Sequence, residues 1–310
     1  MNNIPVEKCA EAGIVVFNTP GANANAVKEL VLAALLLTSR KIVPAIEWAQ
    51  TLKGTADISK QVEKGKSAFA GPEILGKKLG VIGLGAIGVL VANAAQTLGM
   101  QVYGFDPFLS VDAAWNLSSD IVKAASVDEI FEKCDYITIH VPLNDSTRGL
   151  IGADALKKVK KGVRVLNFSR GALVDTDAML AALADGTVAA YATDFPDDAL
   201  FGVENVIAIP HLGASTPESE DNCAVMAAEE LKDTLKTATP EMPSTSRIFP
   251  WRAARTHAFA LRTETFQIPS VRSHRCAVKR ASTLRTCRRK SRGEYAYTIW
   301  TFRGALPRRP

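Results

Sequence analysis

Three short stretches hold residues whose types and spacing could do chemistry together. The first, "GVIGLGAIG" over 80–88, contains G-x-G-x-x-G as Gly83, Gly85 and Gly88. Between a strand and a helix each glycine has a task. Gly83 allows the tight turn, Gly85 lets the backbone approach a pyrophosphate, and Gly88 lets helix and strand pack closely. Ala86 and Ile87 then open a helix whose free N–H groups face the pyrophosphate. Asp106, in "YGFDPF", follows Gly83 by 23 residues and ends the next strand. A carboxylate at that place bonds the ribose hydroxyls of NAD and repels the 2′-phosphate of NADP. A glycine turn can also bind nothing. The strand before it, the helix after it and the acid beyond favour the dinucleotide.

The second stretch, "VLNFSRGALVD" over 165–175, leaves a strand at Ser169 and Arg170. Residues 1–238 hold only 4 arginines, so one at a strand's carboxyl end stands out. A guanidinium offers two parallel donors to a carboxylate. The rival use is a surface salt bridge. The third stretch, "VIAIPHLGAST" over 206–216, puts His211 at the end of a later strand. An imidazole titrates near neutrality, so it can take the proton of a hydroxyl while NAD takes the hydride from the same carbon. A strand-end histidine alone is more often structural. With Arg170 and the glycine turn on the same edge, the set points to oxidation of a small hydroxy acid.

That edge exists only if the elements around these residues form one sheet. "KKLGVIGL", "MQVYGFD", "DYITIHV", "VRVLNFS", "AAYATDF" and "VIAI" read as strands. Helical stretches lie between them, several ending in glycine. Apolar strands alternating with helices predict an α/β fold, a doubly wound parallel sheet of the Rossmann type covered on both faces. A helix is predicted across 23–50, capped by Asn23 or Asn25 and kinked or split by Pro44. It is apolar on most sides, which predicts burial between domains or subunits, and a homodimer through 23–50. Ser215 and Glu218 are spaced as a capping box for the helix that follows.

Composition divides the chain near residue 238. Residues 239–310 carry 14 Arg and 2 Lys against 3 acidic residues, a net charge of +13. The remainder carries 4 Arg and 17 Lys against 29 acidic residues, a net charge of −8. Periodicity also ends there, so 239–310 reads as a basic, disordered, non-native tail of the kind a frame shift would produce. An Arg-rich arm for nucleic acid is the less favoured reading. The 5 cysteines include no C-x-x-C pair, which argues against a metal site and for reduced thiols in a cytoplasmic protein. The longest apolar run, 30–37, is far below the ~20 residues that span a bilayer.

Taken together, "GVIGLGAIG", "NFSRGALVDTDAMLAAL", "ATDFPDD" and "IPHLGASTPESEDNCAVMA" resemble the D-isomer-specific 2-hydroxyacid dehydrogenases. The similarity extends over about residues 1–237, and is strongest to the branch that oxidises 3-phosphoglycerate to 3-phosphohydroxypyruvate in serine biosynthesis. The resemblance implies that Arg170 holds the substrate carboxylate and His211 is the acid/base. It also implies that Ser169, Asp194, Ala86 and Ile87 line the NAD site. The family pairs its histidine with a glutamate after a D-V-F-P-like turn. Here the turn is "TDFPDD", one residue shorter, with Asp197 and Asp198, and Asp198 is the expected partner of His211.

The resemblance also sets the expected organisation: 1–21 a remnant of a substrate domain, 22–213 the NAD-binding domain, and 214–238 a helix returning to the substrate domain. A substrate domain reduced in this way predicts impaired turnover. The alternative is an NAD-binding fragment or NAD-sensing binder without catalysis.

Overall fold

The computed structural model describes residues 4–11, 16–237, 258–264, 284–292 and 295–302. The chain divides into two units, one of Pro20–Asn222 and one of Met1–Thr19 with Cys223–Pro310.

The larger unit is built on seven strands: β1 Lys78–Ile82, β2 Gln101–Phe105, β3 Val122–Lys123, β4 Tyr136–Ile139, β5 Val163–Asn167, β6 Val188–Thr193 and β7 Val206–Ala208. They lie side by side in the order β3-β2-β1-β4-β5-β6-β7, and every pair is parallel. β1, β4, β5 and β6 are buried at nearly every position, as a sheet covered on both faces requires. The chain builds outward from β1 to β3, then returns to place β4 on the other side of β1. Ligands of such sheets bind at the carboxyl ends beside that reversal.

Register sets the edge. Ile82 lies opposite Phe105 and Ile139, Ile139 opposite Asn167, Asn167 opposite Thr193, and Thr193 opposite Ala208. The residues that leave these strands therefore emerge in one row. Two apolar cores hold the sheet. One joins Ile130, Ile137, Val165 and Met179; the other joins Val27, Val31 and Leu35 to Val81, Val91 and Leu166.

The predicted helix over 23–50 is two helices, Ala24–Arg40 and Ile42–Thr51. The break falls at Lys41, whose φ of 48° is left-handed, and not at Pro44. Pro44 sits in the first turn of the second helix, where an amide needs no intrahelical acceptor. Asn23 is the cap residue but makes no side-chain capping bond. At the other helix, Pro217–Thr237, Thr216 replaces Ser215 as the cap, its Oγ1 accepting the Ser219 N–H at 3.1 Å.

In the smaller unit, β8 Ala258–Glu264, β9 Leu284–Arg292 and β10 Tyr295–Phe302 pair antiparallel in the order β8-β10-β9. This corrects the expectation of no regular structure after Thr239 for these described residues. "YAYTIWTF" is rich in aromatic and β-branched residues, which favour strands. The arginine density around it hid that preference. Residues 13–15 of "GIVVFNTPG", a stretch over 13–21 that reads as a short strand closed by a Pro-Gly turn, lie outside the described residues. Among the described residues no helix is long and apolar enough to cross a membrane, and no group of His, Cys, Asp or Glu could hold a metal ion.

Candidate active site

The glycine turn leaves β1 at Gly83, which has φ +94° and donates its N–H to the Phe105 carbonyl at 2.8 Å. A Cβ there would sit 2.6 Å from the His140 carbonyl oxygen, so only glycine fits between β1 and β4. A Cβ on Gly88 would lie 1.9 Å from the Gly83 carbonyl oxygen, as expected where helix and strand touch. Gly85 is different: a Cβ there would meet nothing within 4 Å. It faces open space at the start of the Ala86–Thr97 helix, whose first amides at Ala86, Ile87 and Gly88 precede the first intrahelical bond. That cradle fits a pyrophosphate, and it is where the sequence placed one.

Asp106 stands beside this turn and has a second task that sequence spacing did not reveal. Its Oδ2 accepts the Leu84 N–H at 2.8 Å and its Oδ1 accepts the Phe108 N–H at 2.8 Å. The carboxylate thus ties the β2 exit to the glycine turn. Each oxygen keeps a lone pair for ribose hydroxyls.

β4 ends in His140, which sequence reading missed. Its N–H donates to the Ile82 carbonyl at 2.7 Å, and its Nε2 lies 3.0 Å from Thr138 Oγ1. Nδ1 is enclosed and has no hydrogen-bond partner. The residue as a whole is half-buried. Loss of hydration pushes its pKa down to about 4, so the ring is neutral at pH 7. The available signal was its place at the end of "YITIH", one of only 4 histidines.

β5 delivers Ser169 and Arg170. The wholly buried Asn167 holds this exit: its Nδ2 donates to the Arg170 carbonyl at 2.9 Å, and its Oδ1 accepts the Ser169 N–H at 3.3 Å. Ser169 Oγ donates to the Ile139 carbonyl at 2.6 Å, joining the β5 exit to the β4 end. Arg170 is exposed, its Nη1 donating to the Ser169 carbonyl at 2.6 Å. It forms no salt bridge among the described residues, so the surface-pair reading finds no partner.

β6 delivers Asp194 and Phe195, and β7 leads to His211. Asp194 is 1% exposed. Its Oδ2 accepts the Gly213 N–H at 3.3 Å, while its Oδ1 is buried without a partner. Burial raises the Asp194 pKa, against the opposing pull of His211, the Gly213 amide and Arg170. The Phe195 ring packs on His211 at 4.5 Å between centroids, tilted by 45°, and Arg170 Cζ lies 5.8 Å from the same ring's centroid.

The expected pairing of His211 with Asp198 is not present. Asp197 Oδ1 caps the short turn Asp198–Leu200 through the Ala199 N–H at 3.0 Å, and its Oδ2 accepts the Thr176 hydroxyl at 2.7 Å. Asp198 opens that turn, exposed, and its carboxylate has no hydrogen bond or ion pair among the described residues. The carboxylate on which the charge of His211 acts is that of Asp194, whose pKa it pulls down. Gly83, Gly85, Ala86, Ile87, Gly88, Asp106, Ser169, Asp194, Arg170 and His211 all lie along the carboxyl edge of the sheet.

Residues 32–213 match the family described as D-isomer specific 2-hydroxyacid dehydrogenase, NAD binding domain. The chain belongs to this family. Among curated relatives, it is 36% identical over 242 residues to the D-3-phosphoglycerate dehydrogenase of Methanocaldococcus jannaschii, covering 76% of this chain and 44% of that protein. It is 38% identical over 242 residues to the Rattus norvegicus D-3-phosphoglycerate dehydrogenase, covering 76% and 43%. Among solved structures, the glyoxylate reductase from Paecilomyes thermophila is similar with a TM-score of 0.65 at 26% identity, over 78% of this chain and 72% of that one. The chain thus spans less than half the length of the curated relatives it matches. NAD is the cofactor of the matched domain, and the open cradle at Gly85 fits it.

Proposed function

We propose that this protein oxidises a D-2-hydroxy acid with NAD, and that its substrate is 3-phosphoglycerate, giving 3-phosphohydroxypyruvate. The observation that carries the reading is the meeting of Arg170 and His211 on one aromatic ring, on the edge that also holds the glycine turn and Asp106. The choice of 3-phosphoglycerate among hydroxy acids rests on the 36% and 38% identities to D-3-phosphoglycerate dehydrogenases.

The chemistry follows from the residues. Among the described residues Arg170 has no carboxylate in a salt bridge with it, and it can offer two parallel N–H donors to that of the substrate. The exposed imidazole of His211 then accepts the hydroxyl proton as the O–H and C2–H bonds break and the C=O bond forms. NAD, when bound, supplies the acceptor for the hydride that leaves C2. Among the described residues Asp194 is the buried carboxylate beside this pair, and it compensates the positive charge that His211 gains. Its bare Oδ1 also offers an acceptor to the amide of the nicotinamide ring.

The other protein partner in this reading is a second copy of the chain. Leu36, Ile42, Val43 and Ile46 are exposed apolar residues on the two helices from 24 to 51, which suits a homodimer through that segment. The test of the substrate assignment is a panel of 2-hydroxy acids followed by NADH absorbance. The highest kcat/KM is expected for 3-phosphoglycerate. A preference for an unphosphorylated acid would displace that assignment while keeping the reaction class.

A further inference from the structure

We infer that Phe195 is a positioning residue of this site, holding both Arg170 and His211 in place through one ring. The inference rests on the dehydrogenase reading of the same edge. Phe195 leaves β6 between the exits of β5 and β7, and those neighbouring exits carry the arginine and the histidine. Its backbone is fixed on three sides. The Phe195 N–H donates to Thr193 Oγ1 at 3.1 Å, and the Thr193 carbonyl accepts the Ile209 N–H at 3.0 Å, which ties in the chain leading to His211. On the β5 side, a Cβ built on Gly171 would already touch Phe195 Cβ at 3.4 Å. Behind it, Asp194 holds the Gly213 N–H at 3.3 Å, two residues past His211.

The side chain of Phe195 therefore starts from an anchored backbone, whereas Arg170 and His211 are both exposed. Among the described residues the Arg170 guanidinium has only its hydrogen bond to the Ser169 carbonyl, and the His211 imidazole has none. A ring 4.5 Å from the imidazole and 5.8 Å from the guanidinium carbon supplies the packing that both otherwise lack. An aromatic face attracts a cation over it. The contact therefore strengthens as His211 takes its proton, and it steadies the Arg170 guanidinium that meets the carboxylate. Phe195 and Asp194 thus hold the histidine loop together with the Thr193 carbonyl.

The test compares the full chain with its Phe195→Leu and Phe195→Tyr variants by two independent readouts. The first is the imidazole proton spectrum, with the His211 resonances assigned by their loss in His211→Asn. In the unsubstituted protein these resonances carry a ring-current displacement. Phe195→Leu abolishes it and Phe195→Tyr keeps it. The second is turnover, where Phe195→Leu lowers kcat roughly 2- to 5-fold while KM for NAD stays unchanged, and Phe195→Tyr restores it. Unmoved His211 resonances in Phe195→Leu overturn the inference, as does a kcat equal to that of the unsubstituted chain. If the unsubstituted chain turns over none of the 2-hydroxy acids, the dehydrogenase reading fails instead. The resonances then decide the role of Phe195 by themselves.

Discussion

His140 gives the sharpest prediction about stability. Its Nδ1 is buried and unpartnered, and burial lowers the pKa from 6.5 to about 4. Between these two values the unfolded chain holds a proton that the folded chain does not. Stability is therefore fully present above about pH 6.5 and is lost as the pH falls towards 4. From pH 7 to pH 5 the loss from this one group comes to about 2 kcal/mol. For a unit of this size that corresponds to a fall in Tm of roughly 4–8 °C. The perturbation is His140→Gln, which keeps a polar group near Thr138 Oγ1 but cannot titrate. Thermal unfolding of both proteins at pH 7 and pH 5 isolates the contribution, since all other groups are shared. The variant should lose clearly less stability on acidification than the unsubstituted chain. Equal losses would refute the idea that a buried neutral His140 sits at the β4 exit.

Other substitutions separate cofactor binding from folding. Gly85→Ala should leave Tm unchanged, because its Cβ meets nothing, but should weaken NAD binding measured by intrinsic fluorescence. Gly88→Ala should lower Tm sharply, at a cost above the ~1–3 kcal/mol of ordinary overpacking, because its Cβ meets backbone at 1.9 Å. Asp106→Asn should narrow the preference for NAD over NADP in the same titration, by removing the charge that repels a 2′-phosphate. Equal affinities of the unsubstituted protein for the two dinucleotides would remove the ribose role of Asp106. Asp198→Asn should leave turnover within about twofold, because its carboxylate touches nothing. Asp194→Asn should lower kcat by at least the ~10²-fold lower end for an acid/base system.

Much of this was legible in the sequence because it depends on local rules. The glycine turn is set by conformations that only glycine adopts, and strand ends are marked by apolar runs breaking into polar residues. That is enough to place Gly83, Asp106, Arg170 and His211 on one edge. What was not legible depends on distant partners. Which of two adjacent aspartates is engaged is decided by Thr176, whose hydroxyl donates to Asp197 from 21 residues away. The orphaned Nδ1 of His140 arises only once β1 and β4 lie side by side. The helix break at Lys41 comes from a left-handed residue with no glycine to announce it. The strands after Thr239 were obscured because arginine repeats dominate the composition that pattern reading weighs.

The central claim is that His211 takes the proton of a 2-hydroxy acid held by Arg170, at an edge that binds NAD. The most direct measurement is NADH production from 3-phosphoglycerate by the unsubstituted chain and by His211→Asn, with NAD binding measured on both. The account predicts a loss of ~10²–10⁴ in kcat for the variant at unchanged NAD affinity. Turnover that survives the substitution would make His211 a structural strand-end histidine and contradict the account.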